Sequence, residues 1–256
     1  MVPRIAIGSL CKVYGVHRAL DGVSLSVAPG AFVALIGASG SGKTTLLKSI
    51  NRLVTSDAGT VHIDGADVSD LPAPELRRRI GYVFQNIGLF PHMSVSENIA
   101  IVPRLLREPA AARAGRVAEL LGLVALDPAF ADRAPRTLSG GQAARVGLAR
   151  ALAAEPTIML MDEPFGALDP LTRDDLRCAY RALHDRLGLT TLIVTHDLAE
   201  ALLLADRVLV LRAGRIVADA TPAELLATGG DDPETARSIA LERTRAQAFA
   251  QVGSPP

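Results

Sequence analysis

Apolar residues near both ends of the chain fall into short runs, either continuous or alternating with small polar residues. Short continuous runs bounded by glycine, proline or polar residues are typical of strands buried on both faces of a sheet. The runs predict strands at Val23–Val27, Phe32–Ile36, Val61–Ile63, Ile80–Phe84, Thr157–Met161, Thr190–Thr195 and Val208–Leu211. Turn residues such as Pro29-Gly30 separate them, and Ile216–Ala218 is predicted to form a hairpin with the last strand.

The middle of the chain has a helical pattern instead. Alanine, leucine and arginine dominate residues 110–126 and 142–154, and no strand-like run interrupts them. We therefore expect a helical subdomain at about residues 91–154, inserted into an α/β core. Further helices are predicted near Pro72–Arg79, Leu171–Leu187 and Leu198–Ala205, each followed by a predicted strand. Strands and helices that alternate in this way form parallel crossovers in a covered sheet.

The sequence after the last predicted strand indicates helices and no further strand. Thr221-Pro222-Ala223-Glu224 has the threonine, proline and glutamate that begin a helix. Beyond Gly229-Gly230 the pattern predicts a helix at Pro233–Gln251 and a frayed end at Gly253–Pro256. We therefore divide the chain into a domain of residues 1–226 and a short C-terminal helical tail of residues 227–256.

The predicted strand Phe32–Ile36 leads directly into a complete GxxxxGK[ST] motif, and a helical run follows the motif. Its glycines let backbone N–H groups point inward, and the helix N-terminus favours an anion. The lysine can reach the β- and γ-phosphates of a nucleotide, and the threonine hydroxyl can ligate Mg²⁺. The candidate phosphate-binding residues are Gly37, Ala38, Ser39, Gly40, Ser41, Gly42, Lys43, Thr44 and Thr45.

Two adjacent carboxylates follow another predicted strand. The apolar residues Ile158–Met161 lead to Asp162 and Glu163. Because side chains alternate along a strand, we expect the two carboxylates to point in different directions and to have different roles. Asp162 is the candidate Mg²⁺ ligand, and Glu163 is the candidate base that takes a proton from the attacking water.

Gln85 and His196 end two further predicted strands. His196 lies at a strand-to-helix corner, on the sheet edge where α/β proteins bind ligands. Taken alone, a histidine at such a corner is more often a structural loop residue. Gln85, taken alone, is equally well explained as a polar strand end.

A second motif suited to anions, Leu138-Ser139-Gly140-Gly141-Gln142, opens the predicted helix Ala143–Ala154. The chain thus has two phosphate-binding helix N-termini, but only one lysine–threonine pair and one acid pair. Either it binds two nucleotides unequally, or one nucleotide lies between two copies of the chain. Only the second option uses every motif.

These motifs stand in the order of an ATP-binding-cassette (ABC) ATPase, which the chain resembles over residues 4–226. They are the P-loop, Gln85, Leu138–Gln142, Ile158–Glu163, Ala167-Leu168-Asp169 and His196. The resemblance implies an α/β P-loop NTPase (RecA-like) core with an N-terminal antiparallel β subdomain and an inserted α-helical subdomain. It also implies ATP and Mg²⁺ as cofactors, and a head-to-tail homodimer with two ATP molecules at its interface.

The resemblance also implies roles for single residues. The five-residue signature of one subunit would contact the nucleotide held by Lys43 of the other, through Ser139, Gly140, Gly141 and Gln142. Gln85 would sense Mg²⁺ and the attacking water, His196 would hold the γ-phosphate, and Asp169 would lie on the dimer seam. Tyr14 would stack on adenine, a contact worth roughly 1–3 kcal/mol, with an ordinary edge-strand tyrosine as the alternative.

The segment after Gln85 resembles that of the quaternary-amine osmoprotectant group of importers, whose substrates are glycine betaine, choline, carnitine and proline. In the family this segment faces the transmembrane permease, so we expect docking near Ile87–Met93, with a solute-binding protein as an indirect partner. Amino-acid importers share Leu89–His92, so an ATPase of that group is one alternative. A soluble ABC ATPase that acts on nucleic acid or ribosomes is another, and a non-hydrolysing regulatory module is a third.

Composition narrows these alternatives. The 256 residues carry 27 Lys+Arg against 27 Asp+Glu, which argues against a nucleic-acid partner. Hydrophobic residues make up 49% of the chain, yet no run approaches the roughly 20 apolar residues of a bilayer span. The N-terminus has no signal-peptide pattern, and Cys11 and Cys178 predict buried or half-buried free thiols in a reducing compartment. We therefore expect a cytoplasmic protein. The resemblance to importer ATPases implies that it is peripheral on the cytoplasmic face of the cell (inner) membrane.

Overall fold

The structure is a computed structural model that describes residues 2–166, 168–228, 236–237 and 239–240. The predicted C-terminal helix at Pro233–Gln251 and the end at Gly253–Pro256 lie almost wholly outside these residues. The strands of the described part, in chain order, are β1 (Ile5–Tyr14), β2 (His17–Val27), β3 (Phe32–Ile36), β4 (Ala58–Ile63), β5 (Ala66–Asp67), β6 (Ile80–Val83), β7 (Ile158–Asp162), β8 (Thr190–Val194), β9 (Arg207–Arg212) and β10 (Arg215–Ala220).

The helices join these strands. In the same described part they are α1 (Lys43–Ile50), α2 (Ala73–Arg78), α3 (Val95–Ile99), α4 (Ile101–Leu105), α5 (Ala110–Leu123), α6 (Gly140–Leu152), α7 (Pro170–Leu187), α8 (Leu198–Leu204) and α9 (Pro222–Thr228). Helices α3 to α6 follow one another between β6 and β7, in the region where the sequence predicts the inserted subdomain. No described helix is both long enough and apolar enough to cross a bilayer.

The strands form two sheets. The larger has six strands in the order β10-β9-β3-β8-β7-β6, and all neighbours except the β9–β10 hairpin are parallel. The smaller has the order β2-β1-β4-β5 and is antiparallel throughout. Helices that cross between parallel strands cover the larger sheet. Both sheets thus agree with the predicted α/β core and antiparallel β subdomain.

The central strand β3 divides the core in two. Phe32, Ala34 and Ile36 belong to a hydrophobic cluster that includes buried apolar residues of α5 to α8. Val33 and Leu35 belong to a second cluster, made with α1 and the antiparallel sheet. All five residues are buried, because alternate side chains of a covered strand enter opposite layers. The continuous apolar runs of the sequence have this origin.

Two features of the fold differ from the predictions. Strand β1 was not predicted, and the predicted strand Val23–Val27 is only the end of the longer β2. Ser9 has a left-handed backbone (φ 47°) and the β1–β2 register shifts near it, so the bulge interrupts the alternation that would have marked a strand.

Both cysteines are free as predicted, but Cys178 is exposed rather than buried.

Candidate functional site

The P-loop connects β3 to α1, and its glycines are required by close backbone approaches. Gly37 has φ 143° and Gly42 has φ 107°, values that side chains rarely adopt. A Cβ atom on Gly37 would overlap the carbonyl oxygen of Leu211, and one on Gly42 would overlap that of Ala19. The loop is therefore packed between the two sheets at positions where only glycine fits.

The ammonium group of Lys43 lies inside the curled loop. Its Nζ donates hydrogen bonds of 2.7 Å to the Gly37 carbonyl and 2.8 Å to the Ala38 carbonyl, and lies 3.4 Å from Ser41 Oγ. Lys43 is 7% exposed. These neutral oxygens hold a positive charge at the N-terminus of α1, where the helix dipole also favours an anion.

A cavity of about 200 Å³ opens beside the loop. Its lining residues come from the strands of the antiparallel sheet and from the P-loop: Tyr14, His17, Ala19, Gly40, Gly42, Lys43, Thr44 and Thr45. The structure thus brings Tyr14 to the P-loop. This residue is 48% exposed, and the Lys12 ammonium lies 5.3 Å from its ring centre. The sequence did not predict His17 and Ala19 as site residues, because only the pairing of β1 with β2 brings them to the P-loop.

Thr44 and Asp162 meet where α1 passes the end of β7. The Thr44 hydroxyl donates a 2.9 Å hydrogen bond to Asp162 Oδ1. Asp162 is 5% exposed, and this burial raises the pKa of its carboxyl, against the opposing effects of the Thr44 hydrogen bond and the Lys48 charge. One carboxylate with one hydroxyl is the donor set of Mg²⁺ sites in which phosphate and water complete the coordination. The residues therefore fit that ion.

Glu163 gathers the two strand-end residues that were ambiguous in the sequence. Gln85 Nε2 donates a 3.0 Å hydrogen bond to Glu163 Oε2, and His196 Nδ1 lies 3.3 Å from the same oxygen. Glu163 has a left-handed backbone (φ 47°) just beyond the end of β7, and its N–H donates to the Val194 carbonyl. The Glu163 side chain therefore points away from that of Asp162 because the chain turns after Asp162. We expected the alternation of side chains along a strand to separate the two carboxylates, but Glu163 lies outside β7.

The residues Ser139–Gln142 form the start of α6. Ser139 Oγ accepts from the Gln142 N–H at 3.2 Å, and Gln142 Oε1 accepts from the Ser139 N–H at 3.0 Å. This reciprocal pair is a capping box, which satisfies two of the free donors at the helix start. Ser139 and Gly140 are exposed, whereas Gly141 is buried against Thr172 of α7 and has no room for a Cβ.

Asp169 lies near this motif, at the start of α7. Its carboxylate accepts a 3.1 Å hydrogen bond from the Thr172 N–H, and hydrogen bonds of this kind lower its pKa. Ala167, which precedes it in the motif, is outside the described residues. Neither Asp169 nor any residue of Ser139–Gln142 lines the cavity beside the P-loop. The P-loop cavity of one chain is therefore lined without the Ser139–Gln142 motif.

The model of the ABC transporter family matches residues 20–166, more than half of the chain. The chain belongs to this family. It is 49% identical over 229 residues to the choline transport ATP-binding protein OpuBA of Bacillus subtilis, covering 89% of this chain and 60% of that protein. It is 46% identical over 228 residues to the glycine betaine uptake system ATP-binding protein YehX of Escherichia coli, covering 89% and 74%.

Solved structures of ABC proteins share the fold. A dimeric post-hydrolysis state of the ATP-binding cassette MJ0796, bound to ADP and Pi, has a TM-score of 0.77 at 33% identity and covers 85% of this chain and 98% of that one. CbiO1 of Clostridium perfringens has a TM-score of 0.82 at 26% identity, covering 98% and 100%. The predicted P-loop NTPase fold is thereby confirmed. The chain spans 60% of the length of OpuBA and 59% of OpuCA of Bacillus subtilis.

This ABC chain has a second concave surface, beside the segment that the sequence marks for docking. A groove of about 380 Å³ lies between the end of α1, β6 and α4. Its apolar lining includes the exposed side chains of Leu53, Phe84, Phe90 and Leu105, and Arg77 and Arg78 contribute charge. We call this groove, with its exposed residues Leu53, Phe84, Phe90 and Leu105, the apolar groove.

Hydrogen bonds from two side chains, Arg150 and Asn98, fix the backbone of the segment Ile87–Met93. The guanidinium of Arg150, on α6, donates to the carbonyls of Ile87 and Gly88. The buried side chain of Asn98 accepts from the Phe90 N–H at 2.8 Å and donates toward the Phe90 and Met93 carbonyls. The exposed Phe90 ring therefore stands on a segment whose backbone is fixed by hydrogen bonds.

Proposed function

We propose that this chain binds and hydrolyses ATP and so energises a membrane importer. The observation that carries the proposal is the grouping of Gln85 and His196 around one oxygen of Glu163. Glu163 directly follows Asp162, whose carboxylate accepts the hydrogen bond from Thr44. Phosphate hydrolysis by a P-loop protein needs a phosphate cradle, an ion site and a group that positions the attacking water. The chain supplies all three at one edge of its parallel sheet.

Each residue then has a distinct task. The N–H groups of the P-loop and the Lys43 ammonium bind the β- and γ-phosphates of ATP. Thr44, Asp162 and Gln85 would hold Mg²⁺, and the charge of the ion would stabilise the negative charge that develops on the phosphate oxygens. Glu163 accepts a proton from the attacking water while Gln85 orients its carboxylate, and His196 donates to the γ-phosphate. Tyr14 stacks on the adenine base above the cavity.

The second cluster acts on another copy of the chain. Ser139, Gly140, Gly141 and Gln142, with Asp169 at the seam, complete the site around the nucleotide held by Lys43 of the second subunit. Two features support this homodimer: none of these residues lines the P-loop cavity of its own chain, and the related cassette MJ0796 is dimeric. The capping box fixes Ser139 at the start of α6, with its neighbour Gly140 exposed for the partner's phosphate.

The importer's transmembrane permease docks at Ile87–Met93 and the apolar groove. Exposed Phe84, Phe90 and Leu105 form an apolar surface of the kind that marks a protein interface. The chain is then peripheral, on the cytoplasmic face of the cell membrane, and meets a solute-binding protein only through the permease. The transported molecules are quaternary-amine osmoprotectants, since OpuBA and YehX are named for choline and glycine betaine.

The deciding experiment measures Mg²⁺-dependent ATP hydrolysis by the wild-type chain and by Glu163→Gln. We expect Glu163→Gln to lose at least about 100-fold in kcat, because general base catalysis contributes about that much or more, while it still binds ATP and forms ATP-dependent dimers. A matched control is Glu119→Gln, an exposed carboxylate on α5. Hydrolysis by Glu163→Gln at the wild-type rate would remove the assigned base.

The substrate class needs the complete transporter. ATP hydrolysis by the chain, reconstituted with its permease and solute-binding protein, is measured with glycine betaine, choline or carnitine, and with an amino acid as the control. We expect stimulation by the quaternary amines, whose cationic headgroup suits an aromatic cage in the binding protein. Stimulation by the amino acid alone would favour the amino-acid importers instead.

A further inference from the structure

Arg177, in the second turn of α7, joins this helix to the loop that carries His196. Its Nη2 donates hydrogen bonds of 2.6 Å to Asp197 and 2.7 Å to Glu200, and its Nη1 donates to Asp174 at 3.2 Å. Arg177 is 6% exposed and Glu200 is 3% exposed. The guanidinium is thus a buried centre that three carboxylates share.

The same contacts hold His196 from both sides along the chain. Asp197, the residue after it, is fixed by Arg177 through Oδ2 and accepts from the Glu200 N–H through Oδ1 at 3.2 Å. The Asp197 N–H donates at 3.0 Å to the hydroxyl of Thr195, the residue before His196. The backbone at His196 therefore has little freedom, although its ring is exposed to solvent.

Stability alone is a poor explanation for this cluster. A buried ion pair pays for its desolvation, and well-packed apolar residues of similar volume are often as stable or more so. Burial raises the pKa of Glu200 although its hydrogen bond to Arg177 acts in the opposite direction, whereas the hydrogen bonds of the same cluster raise the pKa of Arg177 and lower that of Asp197. The cluster does fix the orientation of its members, because the planar guanidinium holds the carboxylates of Asp197 and Glu200 in set positions.

We propose that Arg177 is a positioning residue, which fixes His196 against α7 so that His196 and Glu163 are aligned for hydrolysis. Helix α7 begins beside Asp169, at the proposed dimer seam, so Arg177 links the seam to the γ-phosphate-facing loop. Arg177 lines the same small cavity as Glu163 and His196 and acts through Asp197. The inference rests on the proposed function and adds a residue that the motifs do not include.

The test compares Arg177→Met, Arg177→Lys and the double variant Arg177→Met/Glu200→Leu for kcat, KM for ATP and melting temperature. The double variant removes both buried charges, so it is expected to recover the melting temperature that Arg177→Met loses. Arg181→Met is the matched control: one turn further along α7, Arg181 binds Asp185, Asp206 and the Leu204 carbonyl rather than the His196 loop.

We expect kcat to fall about 10- to 100-fold in Arg177→Met and in the double variant, as a misplacement near 1 Å can cause, with KM changed by less than about threefold. Arg177→Lys should recover part of kcat, and Arg181→Met should keep it. In the Glu163→Gln background, Arg177→Met should still dimerise with ATP. A double variant that recovers both melting temperature and kcat would overturn the inference, because the role would then be structural.

The two proposals fail in different ways. If the wild-type chain does not hydrolyse ATP, or if Glu163→Gln hydrolyses it normally, the proposed function fails. If the wild type and Glu163→Gln behave as expected but a stably folded Arg177 variant keeps wild-type kcat, only the positioning role fails. Arg177→Lys and the double variant decide the question even where Arg177→Met does not fold.

Discussion

The hydroxyl of Thr44 donates a 2.9 Å hydrogen bond to the carboxylate of Asp162, although 118 positions separate them in the chain. Thr44 is in the first turn of α1 and Asp162 is the last residue of β7. The bond joins the two oxygen groups proposed to hold Mg²⁺, so the fold itself brings both groups to one place.

Asp162→Asn should therefore weaken Mg²⁺ binding at the site. We expect the Mg²⁺ concentration for half-maximal ATP hydrolysis to rise at least about tenfold, because an amide carries no charge for the ion and loss of a charge-assisted contact costs about 1.5–3 kcal/mol. Ser49→Ala, on the same helix but bonded only to the Thr45 carbonyl, is the control and should keep the wild-type Mg²⁺ dependence. An unchanged Mg²⁺ titration in Asp162→Asn would exclude it as a ligand.

Gly42→Ala should abolish nucleotide binding. A Cβ there overlaps the Ala19 carbonyl, and φ of 107° strains any side chain, so the loop must move away from the antiparallel sheet. We expect a fall in stability of about 1–3 kcal/mol, the usual cost of a residue held in such a conformation. Equilibrium binding of a fluorescent ATP analogue and thermal melting measure the two effects.

The matched control for this variant is Gly115→Ala. Gly115 lies in the exposed part of α5, and nothing is within 4 Å of an added Cβ. Because alanine is the better helix former, this change should stabilise the protein by about 0.5–1 kcal/mol and leave nucleotide binding intact. Normal ATP affinity in Gly42→Ala would contradict the packing argument.

Stability should fall as the pH drops below about 6.5, and His184 should cause part of that fall. Burial lowers the pKa of His184 from its ordinary value of 6.5, with Arg181 acting in the same direction. Three groups oppose the shift: the Gly30 carbonyl and the carboxylates of Asp185 and Asp206. The folded state thus binds a proton less readily than the unfolded state, so the contribution is full above pH 6.5 and is lost as the pH falls through the lowered pKa.

Melting temperatures of the wild type and His184→Gln, measured from pH 7.5 to 5.5, check this expectation. Glutamine does not titrate, so His184→Gln should melt lower at pH 7.5, where it loses the bonds to Thr191 and Gly30, but should show a flatter pH dependence. Equal slopes in His184→Gln and the wild type would assign the pH dependence to other groups.

Phe90→Asp should release the chain from membranes that contain the permease while soluble ATP hydrolysis continues. Phe90 is 40% exposed and lines the apolar groove, so a carboxylate there would lose its hydration in the docked complex and would replace an apolar contact. Leu203→Asp is the control, since Leu203 is a 73% exposed leucine on α8, outside the groove. Sedimentation of membranes followed by immunoblotting measures the release, and retention of Phe90→Asp would count against this docking surface.

Local patterns in the sequence determined the elements that carry the chemistry. The P-loop is a contiguous motif between a strand and a helix, and buried parallel strands are visible as unbroken apolar runs, so both could be predicted without knowing the fold. The helix start at Thr221 was visible for the same reason, because Thr221 and Glu224 meet within one helical turn. Strand β1 was not predicted because its bulge at Ser9 removed the local signal.

Only the tertiary structure decided which of these residues meet. Gln85, Glu163 and His196 end three different strands, and nothing local to any of them indicates a shared oxygen. The sheet order β8-β7-β6 brings these three strand ends to one edge, because neighbouring parallel strands finish side by side. Local sequence therefore set the chemistry of each group, and long-range strand pairing set the distances between them.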